Sequence, residues 1–158
     1  MNAEAVPALE EIDGSALPGR IEDDCHLLLL RVYYQDTDAA GLVYHANYLK
    51  FAERARTEAL YAVGWGQARL DEKDRIVFIV RRCEADFLVP ARLGDIVLVR
   101  SRVTDIGGAR LNMEQTISLD GQDLTRLSVE LVCVNRDGRP TRVPQPLASA
   151  LSVGIAAA

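Results

Sequence analysis

The residues best able to do chemistry lie between Tyr33 and Glu58, in the run YYQDTDAAGLVYHANYLKFAERARTE. Two carboxylates, Asp36 and Asp38, stand just past an apolar run. Ala39, Ala40 and Gly41 follow, then Tyr44 and His45. Beyond them Tyr48, Phe51, Ala52, Ala55, Ala59 and Ala62 recur at spacings of three and four, which places them on one helix face. Lys50, Glu53, Arg54 and Glu58 fall largely on the other sides. A carboxylate, a glycine turn and an imidazole are thereby delivered to the start of one helix. A helix's first turn has N–H groups without partners and carries about half a positive charge. Such a place suits an oxyanion with a carboxylate beside it. An Asp of ordinary pKa, about 3.9, is ionised at neutral pH and can attack a carbonyl or take a proton from water.

The elements that must position these groups are few. Residues 1–22 mix Glu, Asp, Ala, Pro and Gly without a sustained period and read as a flexible N-terminal extension. The main domain is expected over 23–145, with 146–158 as a weakly specified, Ala-rich tail. CHLLLLRVYY, from Cys25 to Tyr34, reads as a strand buried on both faces, with His26 as a surface or satisfied structural residue. The helix is expected from about Asn47 to Val63, capped by Gly64, with Trp65 covering its end. Residues 67–75 read as a loop containing at most one helical turn. From Ile76 onward the pattern is β, with turns at Arg92–Asp95, Gly107-Gly108 and Asp120-Gly121. No helices separate these strands, so a doubly wound parallel sheet is excluded. The expectation is an α+β fold in which about five antiparallel strands wrap one central helix. A ten-residue strand spans roughly 33 Å and a seventeen-residue helix roughly 25 Å, so the sheet is long enough to do so.

Composition narrows the partners. The 158 residues carry a net charge of −5, which gives nucleic acid no electrostatic attraction. No apolar run approaches the roughly 20 residues that span a bilayer, and no basic-then-apolar leader opens the chain. Cys25, Cys83 and Cys133 are odd in number, widely spaced and each in apolar surroundings, as expected of buried, reduced thiols in a cytoplasmic protein. Asp36, Asp38 and His45 form a poor metal set: only one imidazole is near, with no H-E-x-x-H run or Cys pair. No metal is expected.

The run D-T-D-x-x-G-x-V-Y-H-x-N-Y, followed by F-x-E-R-A-R-T-E, closely resembles the hot-dog-fold acyl-CoA thioesterases. The match is to the 4-hydroxybenzoyl-CoA thioesterase family, and within it to the YbgC-type group associated with the Tol-Pal system. Weaker similarity runs from about Ile76 to Asn135 and includes V-P-A-R-L-G-D. The resemblance implies a hot-dog fold and a homodimer joined edge to edge through its sheets, often assembled further into a tetramer. It implies that an acyl-CoA is hydrolysed to acid and coenzyme A, which is part of the substrate, so no separate cofactor is expected. Acyl carrier protein is an alternative carrier.

By the same resemblance Asp38 is the catalytic carboxylate, and the backbone N–H at His45 polarises the thioester carbonyl. His45 itself orients the carbonyl or water, or assists departure of sulfur. The thiolate leaves readily, so the site needs little acid help. Gly41 permits the turn and close substrate approach. Tyr34 and Tyr44 line or close the pocket, and Asp36 shapes the turn. Arg81, Arg82 and Arg110 are the candidates for coenzyme A phosphates, with Arg92 and Arg142 behind them. Neighbouring strand residues point to opposite faces, so at most one of Arg81 and Arg82 serves a given phosphate. Two other readings stand beside this one. A hot-dog dehydratase would pair His45 with Glu53 or Glu58, Glu53 also being the substitute base in some related thioesterases. A non-catalytic module would only bind acyl chains or acyl carrier protein.

Overall fold

The computed structural model describes residues 19–152, so most of the expected extension and the end of the tail lie outside it. Six strands form one sheet: β1 (Arg20–Glu22), β2 (Cys25–Arg31), β3 (Ile76–Phe87), β4 (Ile96–Gly107), β5 (Arg110–Leu119) and β6 (Gln122–Asn135). Their order is β1-β2-β4-β5-β6-β3, and every neighbouring pair is antiparallel. One long helix, α1 (His45–Ala62), packs on the sheet, and a short α2 (Gln145–Ser152) follows β6. The expected architecture is present, with the three-residue β1 added at one edge.

Strand periodicity builds the core. Val97, Val99, Ser101 and Val103 of β4 are buried, and β5 buries Leu111, Met113, Gln115 and Ile117 in the same alternation. These face Tyr48, Phe51, Ala52 and Ala55 of α1, of which both alanines are fully buried. Small side chains there let the sheet approach the helix backbone, while each fully buried Phe, Ile or Leu contributes about 1.5–3 kcal/mol. Ala62, expected on this face, is exposed, and Leu60 and Val63 make the contacts at this end of α1 instead. Gly64 follows the helix at φ +78, and the Trp65 N–H returns to Leu60 O at 2.8 Å. Trp65 is buried against that end, with the Arg69 guanidinium 3.7 Å from its ring centroid. The polar segment forms one π-helical turn, Arg69–Asp74.

Three differences from the sequence reading have clear causes. The tail is not unspecified: α2 inserts Leu147, fully buried, beside Trp65, Leu70, Ile76 and Cys133. The fold therefore runs past residue 145, and β1 extends it before residue 23. β2 is not buried on both faces along its whole length: Leu27 and Leu28 are buried, but Leu29 is 52% exposed. His26 is neither exposed nor satisfied. It is buried, both ring nitrogens lack a partner among the described residues, and burial pulls its pKa down.

Candidate active site

Asp36-Thr37-Asp38 follows a single 3₁₀ turn, Tyr34–Asp36, and each carboxylate there has its own task. Asp36 is buried, and its Oδ2 accepts the Tyr33 N–H at 2.8 Å. Its backbone oxygen accepts the Tyr44 N–H at 3.0 Å and Asn47 Nδ2 at 2.7 Å. It is the turn-shaping residue expected from its position. Asp38 is exposed in the single chain. Its Oδ1 accepts the N–H groups of Ala40 (2.8 Å) and Leu42 (3.4 Å), while Oδ2 accepts none among the described residues. One carboxylate oxygen is thus fixed by the backbone and the other faces outward.

The chain between these residues doubles back. Asp38 N–H donates to Leu42 O (2.9 Å), Gly41 N–H to Asp38 O (3.0 Å), and Thr37 bridges Val43. Gly41 sits at φ +74 with open space where a Cβ would stand, so its requirement is conformational. The V-P-A-R-L-G-D segment braces this loop from behind: Val43 N–H reaches Ala91 O (2.9 Å), and Leu93 N–H reaches Gly41 O (3.1 Å). Ala91 N–H in turn donates to the Tyr48 hydroxyl at 2.8 Å, which joins the loop to α1.

α1 begins at His45, with Tyr44 as an N-cap whose side chain does not cap. The N–H groups of Tyr44 and Asn47 are engaged, by Asp36 O and Tyr44 O, while those of His45 and Ala46 have no partner among the described residues. The first turn is therefore an open donor site. The exposed His45 ring packs against Tyr44 (centroids 4.5 Å apart) and edge-on to Phe87 (5.9 Å), at the end of β3. Phe87 also lies 6.0 Å from Tyr48. Tyr34 points out, 83% exposed.

Asp38, Gly41, Tyr44 and His45 are thus brought together at one end of α1, whereas the arginines are not. Arg81 sits in a bulge between Val80 and Arg82. Arg82 lies opposite Glu130 and pairs with Glu84, while Arg81 reaches Glu130 at 3.0 Å. The bulge overrides the period of two: both arginines serve the same outer face of the sheet, not opposite faces. Arg110 opens β5 opposite Val132, seven residues along β6 from Thr125, the partner of Phe87. At about 3.3 Å per residue it is roughly 23 Å from the Asp38 end.

Two groups carried weaker sequence signals. Asn47 is buried and polar in the first helical turn, where N-terminal geometry gives such a residue a partner. Gln115, in β5 between apolar neighbours, interrupts a buried alternation. Its Nε2 donates to Ala52 O (2.9 Å) and Ser101 Oγ (2.8 Å), and its Oε1 accepts Arg56 Nη1 (2.9 Å). Burial pulls the Arg56 pKa down. No group of three or more His, Cys, Asp or Glu able to hold a metal forms among the described residues.

This fold and this loop define a thioesterase-like protein. The model of the thioesterase-like superfamily matches residues 32–151. The acyl-CoA thioesterase YbgC of Haemophilus influenzae is 41% identical over 67% of this chain and 78% of its own. The acyl-CoA thioester hydrolase YbgC of Escherichia coli is 40% identical over 67% and 79%. Among solved structures, a probable thioesterase from Bartonella henselae is 37% identical, covering 76% of this chain and 99% of its own, with a TM-score of 0.73. A thioesterase from Thermus thermophilus, solved with coenzyme A and Zn, is 28% identical over 81% and 92%, with a TM-score of 0.71. The chain belongs to the thioesterase-like hot-dog superfamily, with YbgC-type thioesterases among its relatives. No helix among the described residues is long and apolar enough to cross a membrane.

Proposed function

We propose that the chain is an acyl-CoA thioesterase in which Asp38 is the nucleophile or general base and the first turn of α1 is the oxyanion hole. The observation that carries this reading is the pairing of a half-anchored Asp38 carboxylate with the unclaimed N–H groups of His45 and Ala46. A thioester carbonyl laid against those donors would be polarised by fixed dipoles that need no reorganisation as charge develops. The outward Asp38 Oδ2 then attacks the carbonyl carbon or takes a proton from an attacking water. The tetrahedral oxyanion collapses with loss of the coenzyme A thiolate, a good leaving group whose conjugate acid has a pKa of about 8.5. On the nucleophilic route water then hydrolyses the acyl–Asp38 anhydride to release the acid and restore the carboxylate. His45, held between Tyr44 and Phe87, orients the acyl group. The names of the relatives support acyl-CoA as the substrate.

The functional unit is a homodimer joined through β3. This 12-residue strand is the last in the sheet, and its Val77, Ile79, Val80 and Phe87 are between 38% and 50% exposed. A free apolar edge of that length is a pairing surface. Two-fold antiparallel pairing of β3 with itself would set the Phe87 end of one protomer beside the Val77 end of the other. Asp38 and His45 would then face the partner's sheet and lose their exposure to water. Arginines remote from Asp38 in one chain reach coenzyme A phosphates only through such an assembly. The resemblance of the D-T-D run to the YbgC-type group supports a cytoplasmic enzyme linked to the Tol-Pal system, with acyl carrier protein as a second carrier.

The test is thiol release from a panel of acyl-CoAs by wild type and Asp38→Asn, which keeps shape and removes charge. A loss of at least about a hundredfold in turnover is expected. Equal turnover by both proteins removes Asp38 from the mechanism. An enoyl product would instead favour the dehydratase, and acyl binding without hydrolysis the non-catalytic module.

A further inference from the structure

A cavity of about 270 Å³ opens beneath the first half of β3, against the second half of α1. Its walls are chiefly apolar, with Val77, Phe78, Val80, Leu111, Met113 and Leu131 among them, and one cation, Arg56, stands in it. The guanidinium is anchored at a single point. Nη1 donates to Gln115 Oε1, and Gln115 is itself locked by Ala52 O and Ser101 Oγ. Gln115 and Ser101 are 1% and 3% exposed, so the anchor is rigid. Arg56 forms no ion pair among the described residues. Its neighbour Glu53 lines the same cavity, but its Oε1 accepts the Thr57 hydroxyl at 2.8 Å. A guanidinium has five N–H donors and no acceptor. With one donor held by Gln115, those remaining face a cavity in which Glu53 attracts the guanidinium from beyond ion-pair distance, and no carboxylate among the described residues bonds it directly.

We propose that this cavity receives the distal end of the acyl group and that Arg56 selects chains carrying an oxygen acceptor, a carboxylate or hydroxyl, at that end. The proposal rests on the thioesterase reading and names its substrate class. A plain alkyl end leaves the guanidinium donors unmatched in a partly dehydrated site, whereas an oxygen acceptor completes charge-assisted hydrogen bonds. Discrimination of this kind is large, because a polar site rejects the analogue that leaves it unpaired. In the β3-paired dimer the cavity of one protomer adjoins the His45 end of the other, so a chain bound at one catalytic loop extends into the partner's cavity. Gln115 is a positioning residue here, since it aims the guanidinium and touches no substrate.

The experiment compares kcat/KM for acyl-CoAs of four to fourteen carbons in three series: plain, ω-hydroxy and ω-carboxy. The expected wild-type result is a chain length at which an oxygen-bearing substrate exceeds the plain one by at least about tenfold. Arg56→Met should collapse that ratio to within about twofold, and Arg56→Met combined with Gln115→Met should do the same without leaving the glutamine oxygen unpaired. An ω-amino series, which supplies donors in place of acceptors, should rank below the plain one. Asp38-dependent hydrolysis with equal rates for all series at every length overturns the inference and leaves the thioesterase reading intact. Failure to hydrolyse any acyl-CoA overturns the thioesterase reading alone. Calorimetry on wild type with sebacate and decanoate then decides the cavity separately: tighter binding of sebacate, lost in Arg56→Met, upholds it, and equal binding overturns it.

Discussion

Asn47 Nδ2 donates to the backbone oxygen of Asp36 at 2.7 Å, in a buried bond that spans the loop from Asp36 to the start of α1. It fixes the first turn of α1 against the D-T-D turn. The relation between the Asp38 carboxylate and the His45 N–H therefore depends on it. Asn47→Ala should cost about 1–2 kcal/mol in urea unfolding. It should also lower kcat by about tenfold with a smaller change in KM, because the lost precision is felt in the transition state. Unchanged kcat beside a lowered stability would make Asn47 a packing residue only.

Gln115 of β5 bonds Arg56 Nη1 and Ala52 O of α1, a polar connection between sheet and helix. Gln115→Leu should destabilise by about 2–3 kcal/mol, since it strands a partly buried guanidinium and the Ser101 hydroxyl together. Adding Arg56→Met should recover part of that loss, because removing both partners of a buried polar pair costs less than removing one. A double-mutant cycle by chemical denaturation measures the coupling. Strict additivity would mean that the 2.9 Å contact contributes nothing.

Cys133 gives a pH-dependent signature. It is fully buried in β6 beside Trp65 and Leu147, and burial pushes its thiol up to about 11 from an ordinary 9.0. The folded state therefore holds its proton more tightly than the unfolded chain does. The stability this provides is complete below about pH 9 and is lost as pH rises toward 11. Cys133→Ala should flatten that alkaline decline. Of the three thiols expected to be buried only Cys133 is, since Cys83 lies on the outer edge strand β3 and Cys25 is half-buried. Thiol titration at pH 8 should label Cys133 only after denaturant is added, whereas Cys83 is open to reagent in the single chain.

How much of this was legible in the chain follows from the range of each signal. The α1 face, the Gly64 cap and the hairpin at Asp120-Gly121 depend on spacing and on φ > 0, which local residue types declare. The two residues of that hairpin stand at φ +50 and +81. Asp36 and Asp38 were separable for the same reason, since a turn carboxylate bonds backbone a few residues away. α2 was hidden because its stability comes from placing Leu147 under Trp65, a contact no local pattern encodes. Arg81 departs from strict alternation because one bulged residue resets a period of two, which its residue type does not signal. His26 lies at the head of an apolar strand, where nothing in its neighbours marks whether a partner will be found.

The exposed β3 edge makes the most consequential prediction. Val77 and Ile79 leave their side chains open, and the strand's outer N–H and C=O groups have no neighbouring strand among the described residues. The opposite edge, β1, is only three residues long, the form that monomeric sheets use to avoid pairing. The asymmetry points to β3 as the edge that associates. Ile79→Lys places a charge there, 49% exposed in the single chain, without disturbing the packing of α1. Sedimentation at micromolar concentration should find wild type as a dimer or a multiple of it, and Ile79→Lys shifted toward monomer. Activity should fall with dimer fraction and recover as protein concentration rises, if the proposed dimer is what excludes water from the Asp38 loop. A wild-type monomer with full turnover would contradict the shared site, and would require the cleft at His45 to close within one chain.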